Sequence, residues 1–227
     1  MFPTPTRRAL ARMIDHTVLK PETTLADVAK LCDECVQCGF FAACVNPYWV
    51  RECVRRLAGS GVCVASVAGF PLGATSSESK AAEARIGVGQ GAGEIDMVLN
   101  LGALVGGDLE AVRRDVAGVC DAVRQANAGA LVKVILETRA LTTEQIVAAC
   151  KCCVEAGAHF LKTSTGFHAA GGASVEHVAL LKKHAGGLKV KASGGIRDLP
   201  TALALIDAGA DRLGMSASVA VVNALPE

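Results

Sequence analysis

Two lysines stand late in apolar segments of the chain: Lys162 follows Phe160-Leu161, and Lys191 follows Val190. One lysine in such a place is ordinarily an exposed edge residue or a snorkelling stem. Two at the ends of neighbouring strands are a different matter. If both turn inward, with ammonium groups about 5 Å apart, they repel by about 3 kcal/mol at an effective dielectric of about 20, or roughly 2 pKa units. An amine depressed that far keeps a neutral fraction near physiological pH and can attack a carbonyl carbon to form an imine. Asp96 lies within Glu94-Ile95-Asp96-Met97-Val98, a carboxylate in an otherwise apolar run. It can balance one of the lysines, move the protons that imine chemistry requires, or do both. Lys133 and Glu137 are placed to extend the same charge network in a structural role.

Two glycine-rich turns add a second kind of chemistry. Ala192-Ser193-Gly194-Gly195-Ile196-Arg197 and Leu213-Gly214-Met215-Ser216-Ala217-Ser218 each follow a short apolar run and precede a helical pattern. Bare backbone N–H groups ahead of a helix N-terminus can cradle a phosphate. Arg197 beside one turn, and Gly166 after Thr163-Ser164-Thr165, fit the same use.

These residues need elements to hold them. Eight β-rich runs are predicted at Met13–Thr17, Phe41–Val45, Val62–Val67, Glu94–Leu99, Leu131–Leu136, His159–Thr163, Leu188–Ala192 and Arg212–Met215. Helical patterns alternate with them at Thr24–Cys38, Pro47–Leu57, Ser76–Gly89, Leu109–Gln125, Thr142–Ala156, Val175–His184 and Leu199–Ala208, with a tail at Ser216–Leu225. Gly39, Gly59, Gly91, Gly157, Gly186 and Gly209 each follow a helical run, where a left-handed cap favours glycine. Strict alternation implies a parallel sheet covered by helices. Eight repeats with short connections fit an α/β fold of one (β/α)8 TIM barrel, spanning 1–227 with a short N-terminal extension. A doubly wound open sheet would want a glycine-rich turn after its first strand, and Asp15-His16-Thr17-Val18-Leu19-Lys20 has none. In a barrel, chemistry gathers at the C-terminal strand ends, which is where Asp15, Thr17, Cys44, Asp96, Glu137, Lys162 and Lys191 fall.

Composition narrows the class. The 227 residues carry 23 Lys+Arg against 22 Asp+Glu, a net charge of +1, and only one Trp and one Tyr. That balance argues against a dedicated nucleic-acid or membrane-surface binder. No apolar run is long enough to span a bilayer, and MFPTPTRRALARM lacks the apolar stretch of a secretory signal. Ten cysteines in this length fall below the roughly 8–10% of disulfide scaffolds. The expectation is a cytoplasmic protein with reduced thiols.

The segments IDHTVLKP (14–21), GFPLGAT (69–75), EIDMVLNLGAL (94–104), VKVILET (132–138), FLKTSTGF (160–167) and VKASGGIRD (190–198) closely resemble the deoxyribose-phosphate aldolase family in order and spacing. The resemblance implies a class I lyase that needs no metal or cofactor. It would cleave 2-deoxy-D-ribose 5-phosphate to D-glyceraldehyde 3-phosphate and acetaldehyde in deoxyribose catabolism. By the same resemblance, Lys162 forms the imine, Lys191 lowers its pKa and Asp96 works with it in proton transfer. Asp15 and Thr17 contact substrate hydroxyls, and Gly166, Gly194, Gly195, Arg197, Gly214 and Ser216 contact the phosphate. Phe167 stands where some relatives carry lysine, which leaves more of the phosphate charge to Arg197. The partners implied are the sugar phosphate and acetaldehyde; a homodimer is expected separately, although the apolar helix faces do not say which surface would pair.

The residues alone leave rivals open. Cys32, Cys35 and Cys38, and Cys150, Cys152 and Cys153, suggest a metal-binding or redox protein. Spacing by three on a helix, however, drifts round its face and keeps sulfurs from converging. A sugar-phosphate isomerase would need a base but no imine, and a non-catalytic barrel would need only the phosphate turns. Neither gives a reason to crowd two lysines. Cys44, near the predicted barrel mouth, is expected within reach of an aldehyde.

Overall fold

The computed structural model describes residues 5–226; residues 1–4 and 227, the ends of the predicted 1–227 domain, lie outside the described residues. Eight strands, β1 (Ile14–Val18), β2 (Ala42–Val45), β3 (Cys63–Ala68), β4 (Glu94–Val98), β5 (Leu131–Ile135), β6 (Phe160–Lys162), β7 (Lys189–Ser193) and β8 (Arg212–Met215), close into one barrel in chain order. Every neighbouring pair is parallel, including β1 with β8. The strands therefore match the predicted (β/α)8 barrel to within a residue or two at each end.

Ten α-helices are described: α1 (Arg7–Ala11), α2 (Leu25–Cys38), α3 (Val50–Arg56), α4 (Ser77–Gly89), α5 (Leu101–Val105), α6 (Leu109–Ala126), α7 (Thr143–Glu155), α8 (Val175–His184), α9 (Leu199–Asp207) and α10 (Ser218–Asn223). The sequence ends them for recognisable reasons. Thr24 with Asp27 and Thr142 with Gln145 form capping boxes that satisfy orphan N–H groups of α2 and α7. Gly39 closes α2 in the left-handed conformation at φ 69°. In α6 the buried Val112, Val116, Val119 and Val123 recur at helical spacing and turn one apolar stripe toward the sheet. Each such valine contributes about 1.5–3 kcal/mol by leaving water.

Two helices escaped the sequence reading. The N-terminal extension contains α1, whose Leu10 and Ala11 are wholly buried. The loop after β4 contains α5, capped by the Asn100 side chain accepting from the Ala103 N–H. Both are five residues long, too short for periodicity to register.

Inside the barrel the period-2 alternation of each strand decides what fills the lumen. On β2 and β3 the inward residues Ala42, Cys44, Ala65 and Val67 form a small apolar cluster with Leu19. On β1 and on β4 to β8 the lumen is charged: Asp15, Glu94, Asp96, Lys133, Lys162, Lys191 and Arg212 are all buried. Beneath them Arg212 lies over the Phe41 ring, with its guanidinium carbon 3.5 Å from the centroid. This cation–π contact helps close the N-terminal end of the barrel.

Candidate active site

Strand register brings the charged residues together. Lys162 of β6 pairs in register with Lys191 of β7, and Asp96 of β4 with Lys133 of β5. Asp96 is the hub. Its Oδ2 accepts from Lys162 Nζ and from Lys191 Nζ at 2.7 Å each, so the two nitrogens lie within twice that distance. Its Oδ1 accepts from Lys133 Nζ at 2.6 Å. Lys191 also donates to Asp15 Oδ2, whose other oxygen accepts from Arg212 Nη1 at 2.7 Å. Glu94 completes the lower layer, bonded to Lys133 at 2.7 Å and to Arg212 at 3.1 Å.

Counting charges identifies the reactive group. The network joins four cationic side chains, Lys133, Lys162, Lys191 and Arg212, to three carboxylates, Asp15, Glu94 and Asp96. A surplus cation in a buried lumen is costly, and the group that can shed a proton will do so. Burial opposes the charge on Lys191, but Asp15 and Asp96 override it and raise its pKa. The same contest, with Asp96, Glu94 and Asp15 as partners, places Lys133 well above its usual value. Lys162 goes the other way. Burial lowers its pKa, Asp96 offsets this only in part, and the Lys191 charge lowers it further. Desolvation, then, contributes more than the repulsion between lysines on which the sequence reading relied. Asp96 stays ionised: burial works against its charge, but Lys133, Lys162 and Lys191 together hold it well below the carboxylate range.

Lys162 also meets the cavity. A space of about 410 Å³ at the C-terminal end of the barrel is lined by Lys162, Thr17, Ser193 and the turns after β6, β7 and β8. Its far wall holds Gly166, Gly194, Gly195, Gly214 and Ser216, with Arg197 beside them. Two glycines there are set by close approach. A Cβ on Gly214 would lie 2.9 Å from Lys191 Cε, so this glycine leaves the lysine its channel. Gly194 (φ 90°) packs against the Gly172 and Gly166 backbones, where its own Cβ would come within 3.0 Å of Gly172 Cα. Among the described residues, the N–H groups of Gly166 and Gly195 find no partner in the chain. An amine whose pKa is lowered by burial, beside a carboxylate and under a pocket with free N–H groups and a cation, can serve as a nucleophile over which a phosphorylated carbonyl compound is held.

Comparison with known proteins agrees. A family model described as DeoC/LacD family aldolase matches residues 9–221. The chain belongs to this family. It is 55% identical over 213 residues to the deoxyribose-phosphate aldolase of Brevibacillus brevis, covering 93% of this chain and 94% of that one. It is 53% identical to the deoxyribose-phosphate aldolase of Mycolicibacterium paratuberculosis, covering 98% and 99% of the two chains. Among solved structures, a deoxyribose phosphate aldolase from Aeropyrum pernix described as a unique tetramer superposes with TM-score 0.90 at 36% identity. That match covers 96% of this chain and 92% of the other.

Not every residue of this DeoC/LacD aldolase sits where the sequence reading placed it. Asp15 was expected at substrate hydroxyls. It is fully buried below the cavity, with its carboxylate given to Lys191 and Arg212, and against the pull of burial Lys191, Lys133 and Arg212 bring it to about 2. Thr17 does line the cavity, its hydroxyl donating to the Asp15 carbonyl at 2.8 Å. Glu137, expected in the charge network, stands apart from it and accepts instead from Thr165. Ser218 is buried, bonded to His16 Nδ1 at 2.9 Å and to the Met215 carbonyl at 3.0 Å. This leaves Ser216 as the hydroxyl of the last turn that lines the cavity.

Arg212, Glu94 and Lys20 were missed. A period-2 reading could have found Glu94, two residues before Asp96 and so on the same face. Lys20 lines the same cavity as Arg197, and neither makes an ion pair among the described residues. Cys44 is buried in the apolar half of the lumen, where desolvation pushes its thiol pKa up and away from reactivity. The cysteines of α2 and α7 are all free, and no group of three or more His, Cys, Asp or Glu among the described residues could hold a metal ion.

Proposed function

We propose that this enzyme cleaves 2-deoxy-D-ribose 5-phosphate reversibly to D-glyceraldehyde 3-phosphate and acetaldehyde through an imine on Lys162. The observation that carries the reading is Lys162 itself, with its pKa lowered, facing the cavity and sharing Asp96 with a charged Lys191. The neutral Lys162 amine attacks C1 of the open-chain sugar, and the carbinolamine takes up one proton from water in the cavity and loses water to give an iminium ion. That ion restores the fourth positive charge of the lumen, and the Asp96 carboxylate stabilises it. The C3 hydroxyl then gives up its proton to water in the cavity, the C2–C3 bond breaks, and its electron pair neutralises the iminium as an enamine. The surplus of cations thus favours the bond-breaking step, because cleavage is the step that removes the extra charge. Protonation at C2 and hydrolysis release acetaldehyde and free Lys162.

In this reading Lys191 remains an ammonium ion that keeps Asp96 ionised and turned toward Lys162. Asp15 holds Lys191 in place. Thr17 faces the sugar hydroxyls. The phosphate rests on the turns bearing Gly166, Gly194, Gly195, Gly214 and Ser216, with charge from Arg197 and Lys20. The imine route calls on no metal or organic cofactor. The free cysteines suit a reducing cytoplasm, and no described helix is long and apolar enough to cross a membrane.

Borohydride reduction in the presence of acetaldehyde, followed by peptide mass mapping, tests the mechanism. The expected product is one ethyl adduct on Lys162, absent from Lys162→Ala. An active enzyme without an adduct contradicts the imine, and an adduct on Lys191 reverses the two lysines' roles.

A further inference from the structure

The loop after β5 grips the loop after β6 residue by residue. The Thr138 N–H donates to the Thr163 carbonyl at 2.9 Å. Thr138 Oγ1 lies 3.0 Å from His177 Nδ1, and Arg139 Nε donates to the Gly172 carbonyl at 3.3 Å. At the head of this series, Glu137 accepts the Thr165 N–H on Oε1 at 3.3 Å and on Oε2 at 3.2 Å, and also accepts the Thr165 hydroxyl. Thr165 Oγ1 in turn accepts the Phe167 N–H at 3.1 Å. The directions are fixed by proton supply. A backbone N–H can only donate, so the single hydroxyl proton of Thr165 goes to Glu137. The carboxylate thereby dictates how residues 165–167 are turned, and all three line the cavity.

Stability alone does not call for a glutamate here. Glu137 is 1% exposed and makes no ion pair among the described residues. It is also the one non-glycine residue among them with positive φ, at 57°. Glycine would take that backbone more readily, and an apolar side chain would avoid desolvating a carboxylate. Strain held in this way at the edge of a site is a mark of function. What the residue secures is the placement of Gly166, whose N–H is free and whose φ is 83°.

We infer that Glu137 is a positioning residue for phosphate recognition, acting through Thr165 to aim the Gly166 turn into the cavity. This rests on the reading of that wall as the phosphate site. Glu137 touches neither Lys162 nor Asp96, so imine formation proceeds without it.

The test compares phosphorylated with unphosphorylated 2-deoxyribose as substrates, alongside borohydride trapping of acetaldehyde on Lys162. Glu137→Gln offers one acceptor oxygen where two were used and adds buried donors. It is expected to raise KM for the phosphate ester about tenfold, the equivalent of one good hydrogen bond. Its kcat, its turnover of unphosphorylated sugar and its trapping yield stay near wild type. Thr165→Val is expected to reproduce this pattern and Thr165→Ser to restore wild-type behaviour, which keeps the test available if Glu137→Gln fails to fold. Equal losses on both sugars, or no change on either, overturn the inference. The double variant Lys20→Ala/Arg197→Ala separates the underlying reading. If it keeps the full preference for the phosphate ester, the wall is not the phosphate site and the inference falls with it. If it loses the preference while Glu137→Gln keeps it, the inference alone fails.

Discussion

The molecule buries lysine in two quite different settings. Between α4 and α6, Lys80 meets Asp115 at 2.6 Å, one cation to one carboxylate, both out of solvent. It is packed tightly: a Cβ on Gly69 would lie 2.9 Å from Lys80 Cε, leaving no room for a carbonyl compound. In the lumen, four cations share three carboxylates, and one of the four opens onto a cavity. Burial is common to both, so burial alone does not make a nucleophile. What sets Lys162 apart is an unbalanced charge count, a carboxylate shared with a lysine that stays charged, and access.

That contrast can be broken at either end. The largest effect is expected from Lys191→Met. Removing this charge leaves three cations against three carboxylates, so Lys162 has less reason to lose its proton and its pKa rises. The ascending limb of kcat/KM against pH, which follows the free amine, should move to higher pH, and kcat at neutral pH should fall at least about a hundredfold. A pH–rate profile checks both. Lys80→Met should do the opposite. Stranding the buried Asp115 carboxylate should cost about 3–5 kcal/mol in denaturant unfolding, with much of it recovered in Lys80→Met/Asp115→Leu. The pH limb should not move, and a shift there would erase the distinction between the two settings.

A smaller effect concerns acid stability. Asp15 is lowered in the fold from 3.8 to about 2. A depressed carboxylate contributes stability that is present above its unfolded pKa and lost as pH falls through its folded one. Wild type should therefore lose stability between about pH 4 and pH 2 more steeply than Asp15→Asn, as unfolding followed across that range would show.

Much of this was legible in the sequence, for reasons that can be named. The strands announce themselves because apolar residues fill both faces of a parallel sheet, and the lysines and Asp96 stand out against that background. The glycine caps and the Thr142 capping box mark helix ends by local chemistry alone. What stayed hidden depends on contacts across the barrel. Nothing near Asp15 in sequence shows that Lys191 and Arg212, from the far end of the chain, would consume its carboxylate. Glu137 reads as one more polar residue at a strand end until its left-handed backbone and its grip on Thr165 are seen. Arg212 opens β8 in a place where a charged residue usually faces solvent, yet here it turns inward over Phe41.

Lys162 gives up its proton more readily than an ordinary lysine because it is buried and because the lumen around it holds one cation too many. Nuclear magnetic resonance of protein labelled with carbon-13 at lysine Cε reads this directly across a pH titration. One Cε signal should titrate below the usual 10.5, vanish in Lys162→Arg, and move to higher pH in Lys191→Met. If the low-titrating signal is lost in Lys191→Arg instead, or if no lysine titrates below the ordinary range, the charge-count account is wrong.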